Sequence, residues 1–243
     1  VVITMVDRDD LLDGGASHVG RTVSRLRELR PDLLVETLLG DFGGNTDYVD
    51  VTVDAHPHVW AHNVEVVRRL QRTVRDVRCG YDKSLAVLKR AKDRKPEILT
   101  KSSIMVGIGE TDDEVLETMA DLRAAGVDIV TLGQYLRPTP KHLGVDRFVT
   151  PETFERFADE GRRLGFTYAA SGPLVRSSYK AAEVFVRGIL RPNDPEAAEA
   201  LLKERLAVAQ SAAEAAGGAP RTVSELAART ASDLLPVSSL VRR

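Results

Sequence analysis

Ile98 to Tyr135 reads ILTKSSIMVGIGETDDEVLETMADLRAAGVDIVTLGQY. The stretch opens on an apolar, β-branched run, Ile98–Val106, and turns at Gly107-Ile108-Gly109. A helix begins at Thr111, and a second apolar run follows over Val127–Tyr135. The helix start carries its own chemistry. Thr111 and Glu114 form a T-x-x-E capping box ahead of Val115, Met119 and Leu122, which share one face. Strand, turn, capped helix and strand make one βα unit of a parallel sheet.

The same alternation extends in both directions. Further strands are predicted over Val1–Met5, Leu33–Leu38, His58–His62 and Phe166–Ser171. Helices are predicted over Ala16–Arg30, Thr46–Ala55, Val64–Val74, Asp82–Asp93, Thr111–Ala125 and Pro151–Leu164. The last has Thr150 as N-cap, Pro151 at its first position and Gly165 as its stop. Phe154, Phe157 and Leu164 fall on its apolar face and read as core. Beyond Phe185 no aromatic residue occurs, and Gly217-Gly218-Ala219-Pro220 interrupts an Ala/Glu/Leu-rich stretch. The expected division is a barrel-like domain over residues 1–190 and a low-complexity tail, helical or disordered, over 191–243.

Composition excludes several classes. The 243 residues carry 34 Lys+Arg against 36 Asp+Glu, a net charge of -2, unlike a protein held mainly by nucleic-acid phosphates. No apolar run approaches the roughly 18 residues of a spanning helix, so no membrane partner is expected. The single cysteine, Cys79, excludes a disulfide framework and any all-cysteine metal site within the chain. The chain opens in mid-strand at Val1-Val2-Ile3-Thr4-Met5, which reads as a protein lacking its first part.

In a parallel βα array, function collects where strands end and helices begin. Those junctions are polar throughout: Asp7-Arg8-Asp9-Asp10, Asp41-Phe42-Gly43-Gly44-Asn45, His62-Asn63 with Glu65, Gly107-Ile108-Gly109-Glu110, and Gln134-Tyr135-Leu136-Arg137. Gly107-x-Gly109 does not complete G-x-G-x-x-G, because position 112 is Asp. His62 reads as an orienting hydrogen-bond group, and the five histidines show no zinc-ligand spacing.

Several of these strings together resemble the lipoyl synthase family. They are VVITMVDRDDLLDGGASH (Val1–His18), AHNVE (Ala61–Glu65), TKSSIMVGIGETDDE (Thr100–Glu114), TLGQYLRPTPKHL (Thr131–Leu143) and SGPLVRSSYKA (Ser171–Ala181). VRDVRCGYDKSL (Val74–Leu85) is similar to the organellar branch, mitochondrial or plastid. One loop departs from the pattern: Gly40 and Gly43 stand where the family has Pro and Arg in P-D-F-R-G.

The resemblance implies a radical S-adenosylmethionine enzyme on a partial (βα)6 TIM-like barrel, here without its first strand. It implies two [4Fe-4S] clusters with most ligands upstream of Val1, and Ser178 of R-S-S-Y as the one metal ligand in this chain. A 5′-deoxyadenosyl radical would then abstract hydrogen from an octanoyl chain on a carrier lysine, and two sulfur atoms would be inserted. The implied partners are octanoylated lipoyl-carrier domains or H protein and a reducing electron donor. Asn63 and Glu65 are implied contacts to S-adenosylmethionine, with Asp7 and Lys101 as further polar contacts. Gly107, Gly109 and Glu110 would back the adenine, and Arg176 would hold the auxiliary cluster or the substrate loop. Two other readings stay open. One is an inactive barrel remnant acting as a binding or scaffold protein. The other is an aldolase-type barrel using Lys101 as a Schiff-base amine, for which the sequence around Thr100 and Ser102 shows no desolvated setting.

Overall fold

Each of the six strands pairs with its neighbours in sequence, all in parallel, giving the sheet order β1-β2-β3-β4-β5-β6. The computed structural model describes residues 1–176. The strands are β1 Val2–Thr4, β2 Glu36–Leu38, β3 Val59–Ala61, β4 Leu99–Val106, β5 Ile129–Gln134 and β6 Tyr168–Gly172. Parallel neighbours need long crossovers. Helices supply them: α1 Ala16–Leu29, α2 Thr46–Asp54, α3 Gln71–Val74, α4 Tyr81–Arg94, α5 Asp112–Ala124 and α6 Pro151–Arg163. The arrangement is the expected partial TIM-like barrel. The expected tail over 191–243 and Ser178 lie outside the described residues.

Local chemistry sets the helix starts. Asp13 accepts the backbone N–H groups of Gly15 and Ser17 at 3.0 and 2.8 Å and so fixes the entry to α1. Asn45 does the same for α2 by accepting from Asp47 N at 2.9 Å. At α5 both halves of the Thr111–Glu114 capping box form. At α6 the Thr150 hydroxyl accepts from Thr153 N, Pro151 occupies the first turn, and Gly165 turns the chain out at φ 82°.

Side-chain alternation then gives the sheet two unlike faces. The outer face, with Trp60, Ile104, Val106, Val130 and Leu132, packs under the helices in the main core. There α5 contributes Val115, Met119 and Leu122, and α6 contributes Phe154 and Phe157. The inner face is closed at its lower end by Val59, Leu99 and Ile129, with Leu34 and Tyr168 against them. Ala61 and Lys101 are level with Ile129, and the next layer up carries Ser103, Thr131 and Ala170.

One predicted element is absent. Val64–Val74 was expected as a single helix, but Glu65 adopts φ 66° and bridges to Ile104 of β4. Glu65 N donates to Ser103 O at 3.0 Å, and Met105 N donates to Glu65 O at 2.7 Å. The segment therefore prolongs the sheet at its rim. Only a 3-10 turn over Arg68–Leu70 and the short α3 are helical.

Candidate functional site

The rim above β1, β2 and β3 holds a cavity of about 230 Å³ lined by Leu38, Gly40, His62, Asn63, Glu65 and Arg75, with Met5 and Leu39. Asn63 and Glu65 are brought together there, and Asn63 Nδ2 donates to Glu65 Oε1 at 3.1 Å. Left-handed backbone at a non-glycine residue costs on the order of 1 kcal/mol and survives only where surroundings impose it. At Glu65 the imposing contacts are the two hydrogen bonds to β4, and their effect is to aim the carboxylate at the cavity. Burial pushes the Glu65 carboxyl above the ordinary carboxylate range.

Arg75 is the residue that sequence reasoning did not single out. It stands in the same string as Cys79, but only the fold shows that it lines the cavity. Its Nη1 donates to Ser84 Oγ at 3.0 Å and to Val64 O and Gln71 Oε1 at 3.3 Å. His62 holds that arrangement from behind. Its Nδ1–H donates to Leu39 O and its Nε2 accepts from Ser84 Oγ, both at 2.9 Å. Burial pushes the His62 imidazole below its ordinary value, which matches this neutral, singly donating tautomer. His62 is thus the orienting group the sequence suggested. The arrangement places a guanidinium, an amide and a buried carboxylate around one cavity, a donor and acceptor set suited to a zwitterionic ligand bearing hydroxyls.

Gly107, Gly109 and Glu110 form the next turn of the rim. Both glycines have positive φ, 96° and 107°. A Cβ on Gly107 would lie 2.3 Å from Gln134 Nε2 and 2.4 Å from Arg147 O, so only glycine fits beneath the loop that follows β5. Glu110 is buried and accepts from Gly107 N at 2.7 Å and Ile108 N at 2.9 Å. Both carboxylate oxygens therefore hold the turn together.

Asp7 lies in an adjoining cleft of about 280 Å³, with Asp41, Phe42, Arg78, Cys79 and Lys83. A Cβ on Gly40 would approach Asp7 Oδ1 to 2.5 Å, so the glycine that replaces the family's proline makes room for this carboxylate. Gly43 has φ 65° and open space where a Cβ would stand. Arg176 is exposed at the end of the described residues.

Lys101 does not join the rim residues. Its Nζ lies 2.7 Å from Glu36 Oε1 on the inner face of the sheet, and the two side chains are 2% and 5% exposed. The expected polar contact at the rim is thus replaced by a buried ion pair, because Lys101 points inward from the start of β4. The amine is desolvated, contrary to the sequence reading, but it is engaged by a carboxylate rather than free as a nucleophile.

A [4Fe-4S] cluster needs a set of thiolates. Cys79 is the one cysteine, burial raises its thiol, and no group of three metal-ligating side chains occurs among the described residues. These residues do not fit a cluster. The Asn63–Glu65–Arg75 cavity does fit the polar groups of S-adenosylmethionine, whose ammonium and hydroxyls suit Glu65 and Asn63 and whose carboxylate suits Arg75.

No family model matches the chain. It is 60% identical over 272 residues to the lipoyl synthase of Sorangium cellulosum (strain So ce56), an alignment covering 100% of this chain and 73% of that protein. It is 58% identical over 196 residues to chloroplastic lipoyl synthase 1 of Oryza sativa subsp. indica, covering 81% of this chain and 53% of the rice protein. The chloroplastic lipoyl synthase of Sorghum bicolor is 58% identical over 193 residues, 79% of this chain and 52% of that one. The chain thus spans about half the length of these plant relatives. Among solved structures, a methylornithine synthase matches with a TM-score of 0.48 and 15% identity over 68% of this chain and 47% of its own.

Proposed function

The chain belongs to the lipoyl synthase family, and from that membership we propose that it is part of an enzyme that inserts two sulfur atoms into an octanoyl chain carried on a lysine of an acceptor protein. The match to the Sorangium protein over 100% of the chain carries this reading. When bound, S-adenosylmethionine and a reduced [4Fe-4S] cluster supply the hydrogen-abstracting chemistry. This chain's residues bind and orient. Asn63 and Glu65 take the hydroxyl and ammonium groups of S-adenosylmethionine, and Arg75 takes its carboxylate. The Gly107–Glu110 turn supplies a rigid wall to the same rim, and Asp7 offers a carboxylate in the adjoining cleft.

By family resemblance Ser178, outside the described residues, is assigned to an auxiliary cluster, so that the whole protein uses two clusters. Octanoylated lipoyl-carrier domains or H protein are the acceptors, and a reducing donor supplies electrons. An organellar setting is supported by the chloroplastic designation of the plant relatives, while the Sorangium protein places the same sequence type in a bacterium.

The test is direct titration of S-adenosylmethionine into the chain. Saturable binding that Glu65→Gln weakens supports the reading, and no binding by the folded chain overturns the cavity assignment. The single cysteine favours a second reading for the polypeptide by itself, a binding module without a cluster. Anaerobic reconstitution with iron and sulfide is expected to leave the chain without the visible iron–sulfur absorbance. A stoichiometric cluster on the chain would remove that second reading.

A further inference from the structure

Gln71 is buried, at 5% exposed, and has so far entered only as one acceptor of Arg75. Its amide is engaged at both ends. Nε2 donates to Val64 O at 3.0 Å and to Val66 O at 2.6 Å, and Oε1 accepts from Arg75 Nη1 at 3.3 Å. The two carbonyls belong to the residues on either side of Glu65. Only this orientation of the amide satisfies its neighbours, because two carbonyls require the donor end and a guanidinium requires the acceptor end.

Both residues that Gln71 joins need holding. Val66 N donates to Val64 O at 2.9 Å and closes a three-residue turn centred on Glu65 at φ 66°. Such a turn with positive φ at its centre is rare and strained. β4 bonds the N–H and C=O of Glu65 itself, and Gln71 bonds the carbonyls that flank it. On Arg75 the anchored nitrogen is Nη1, which is spent on Val64 O, Gln71 Oε1 and Ser84 Oγ. Its Nε and Nη2 have no protein acceptor among the described residues, and together they form a fork that matches a carboxylate.

We propose that Gln71 is a positioning residue of the cavity: its amide ties the Glu65 turn to the Arg75 guanidinium and so sets the spacing between the group that takes the ammonium of S-adenosylmethionine and the group that takes its carboxylate. The proposal rests on the ligand assignment of the preceding subsection. The ammonium and carboxylate of an α-amino acid sit on one carbon, so Glu65 and Arg75 serve one ligand only at a matched separation. An amide bonded to both fixes that separation before the ligand arrives. Gln71 does not itself line the cavity, so it acts through the other two.

The test pairs calorimetric titration of S-adenosylmethionine with amide hydrogen exchange of the ligand-free chain. Gln71→Met keeps the length of the side chain and removes both ends of the amide. It should weaken binding about twentyfold, but no more than about fivefold in the Arg75→Met background, where only Glu65 is left to misplace. Gln71→Glu keeps an acceptor for Arg75 and loses both donors, so it should cost about fivefold. Without ligand, the N–H groups of Glu65 and Met105 should exchange about tenfold faster in Gln71→Met, while the amides of β5 keep their rates. If Gln71→Met does not fold, Gln71→Glu is read by the same two measurements. A folded variant that binds like the unmodified chain, or that loses the same factor in both backgrounds, overturns the proposal alone. Exchange that rises equally in β5 marks a general loosening and also overturns it. Failure of the unmodified chain to bind S-adenosylmethionine overturns it together with the ligand assignment.

Discussion

Glu65 and Glu110 are the same residue type at neighbouring strand ends of one rim, and they are put to opposite uses. Glu110 has both oxygens engaged, by Gly107 N and Ile108 N, and is buried. Glu65 receives one hydrogen bond, from Asn63, and its backbone is forced into the left-handed region by β4. A carboxylate surrounded by its own loop's N–H groups builds the loop. A carboxylate held against its backbone preference, with a free oxygen on a cavity, is available to a ligand. The difference lies in what surrounds each carboxylate, and proximity to the site alone would not separate the two.

The largest effect expected from breaking this comparison is at the builder. Glu110→Ala leaves two N–H groups at the turn without their acceptor and should cost about 3 kcal/mol in urea-induced unfolding. Glu65→Gln should leave unfolding within about 1 kcal/mol, because a half-buried amide replaces a carboxyl that burial already disfavours as an anion. If Glu110→Ala were as stable as the unmodified chain and only ligand binding suffered, the two roles would be reversed.

Next in size is the binding effect. Glu65→Gln and Arg75→Met should each weaken S-adenosylmethionine binding about tenfold, roughly 1.4 kcal/mol, by calorimetric titration. Arg75→Met should also loosen Ser84, which Arg75 and His62 share. Equal affinity in both variants and the unmodified chain would show that the cavity serves another ligand.

The smallest effect is the pH dependence that His62 contributes. Its folded value is depressed below the unfolded value of about 6.5, so the unfolded chain takes up a proton first as pH falls. The contribution is complete above about pH 6.5 and declines below it, with a slope of at most about 1.4 kcal/mol per pH unit. Comparison of the unmodified chain with His62→Gln by denaturant unfolding between pH 7.5 and 5.5 isolates it. The difference between the two should shrink as pH falls, and a constant difference would place the imidazole in contact with solvent.

Legibility in the sequence followed the range of the interactions. The starts of α5 and α6 were readable because Thr111, Glu114, Thr150 and Pro151 act within one turn of where they stand. The parallel βα alternation was readable because helices separate the successive strands along the chain. Val64–Val74 was misread because its apolar residues recur at helical spacing while the bonds that decide its path come from Ser103 and Met105 of β4. Asn63 and Glu65 were found as a pair by family resemblance, whereas Arg75 reaches the cavity only through the fold. Lys101 was placed at the rim because its partner, Glu36, is 65 positions away and nothing local announces the pairing.

That separation also has a consequence for how the chain is made. With strands laid down in sequence order, the sheet grows by one βα unit at a time, and each unit finds its neighbour already present as synthesis proceeds. Glu36 emerges with β2 and spends the making of β3 and α4 without its cation, because Lys101 arrives only with β4.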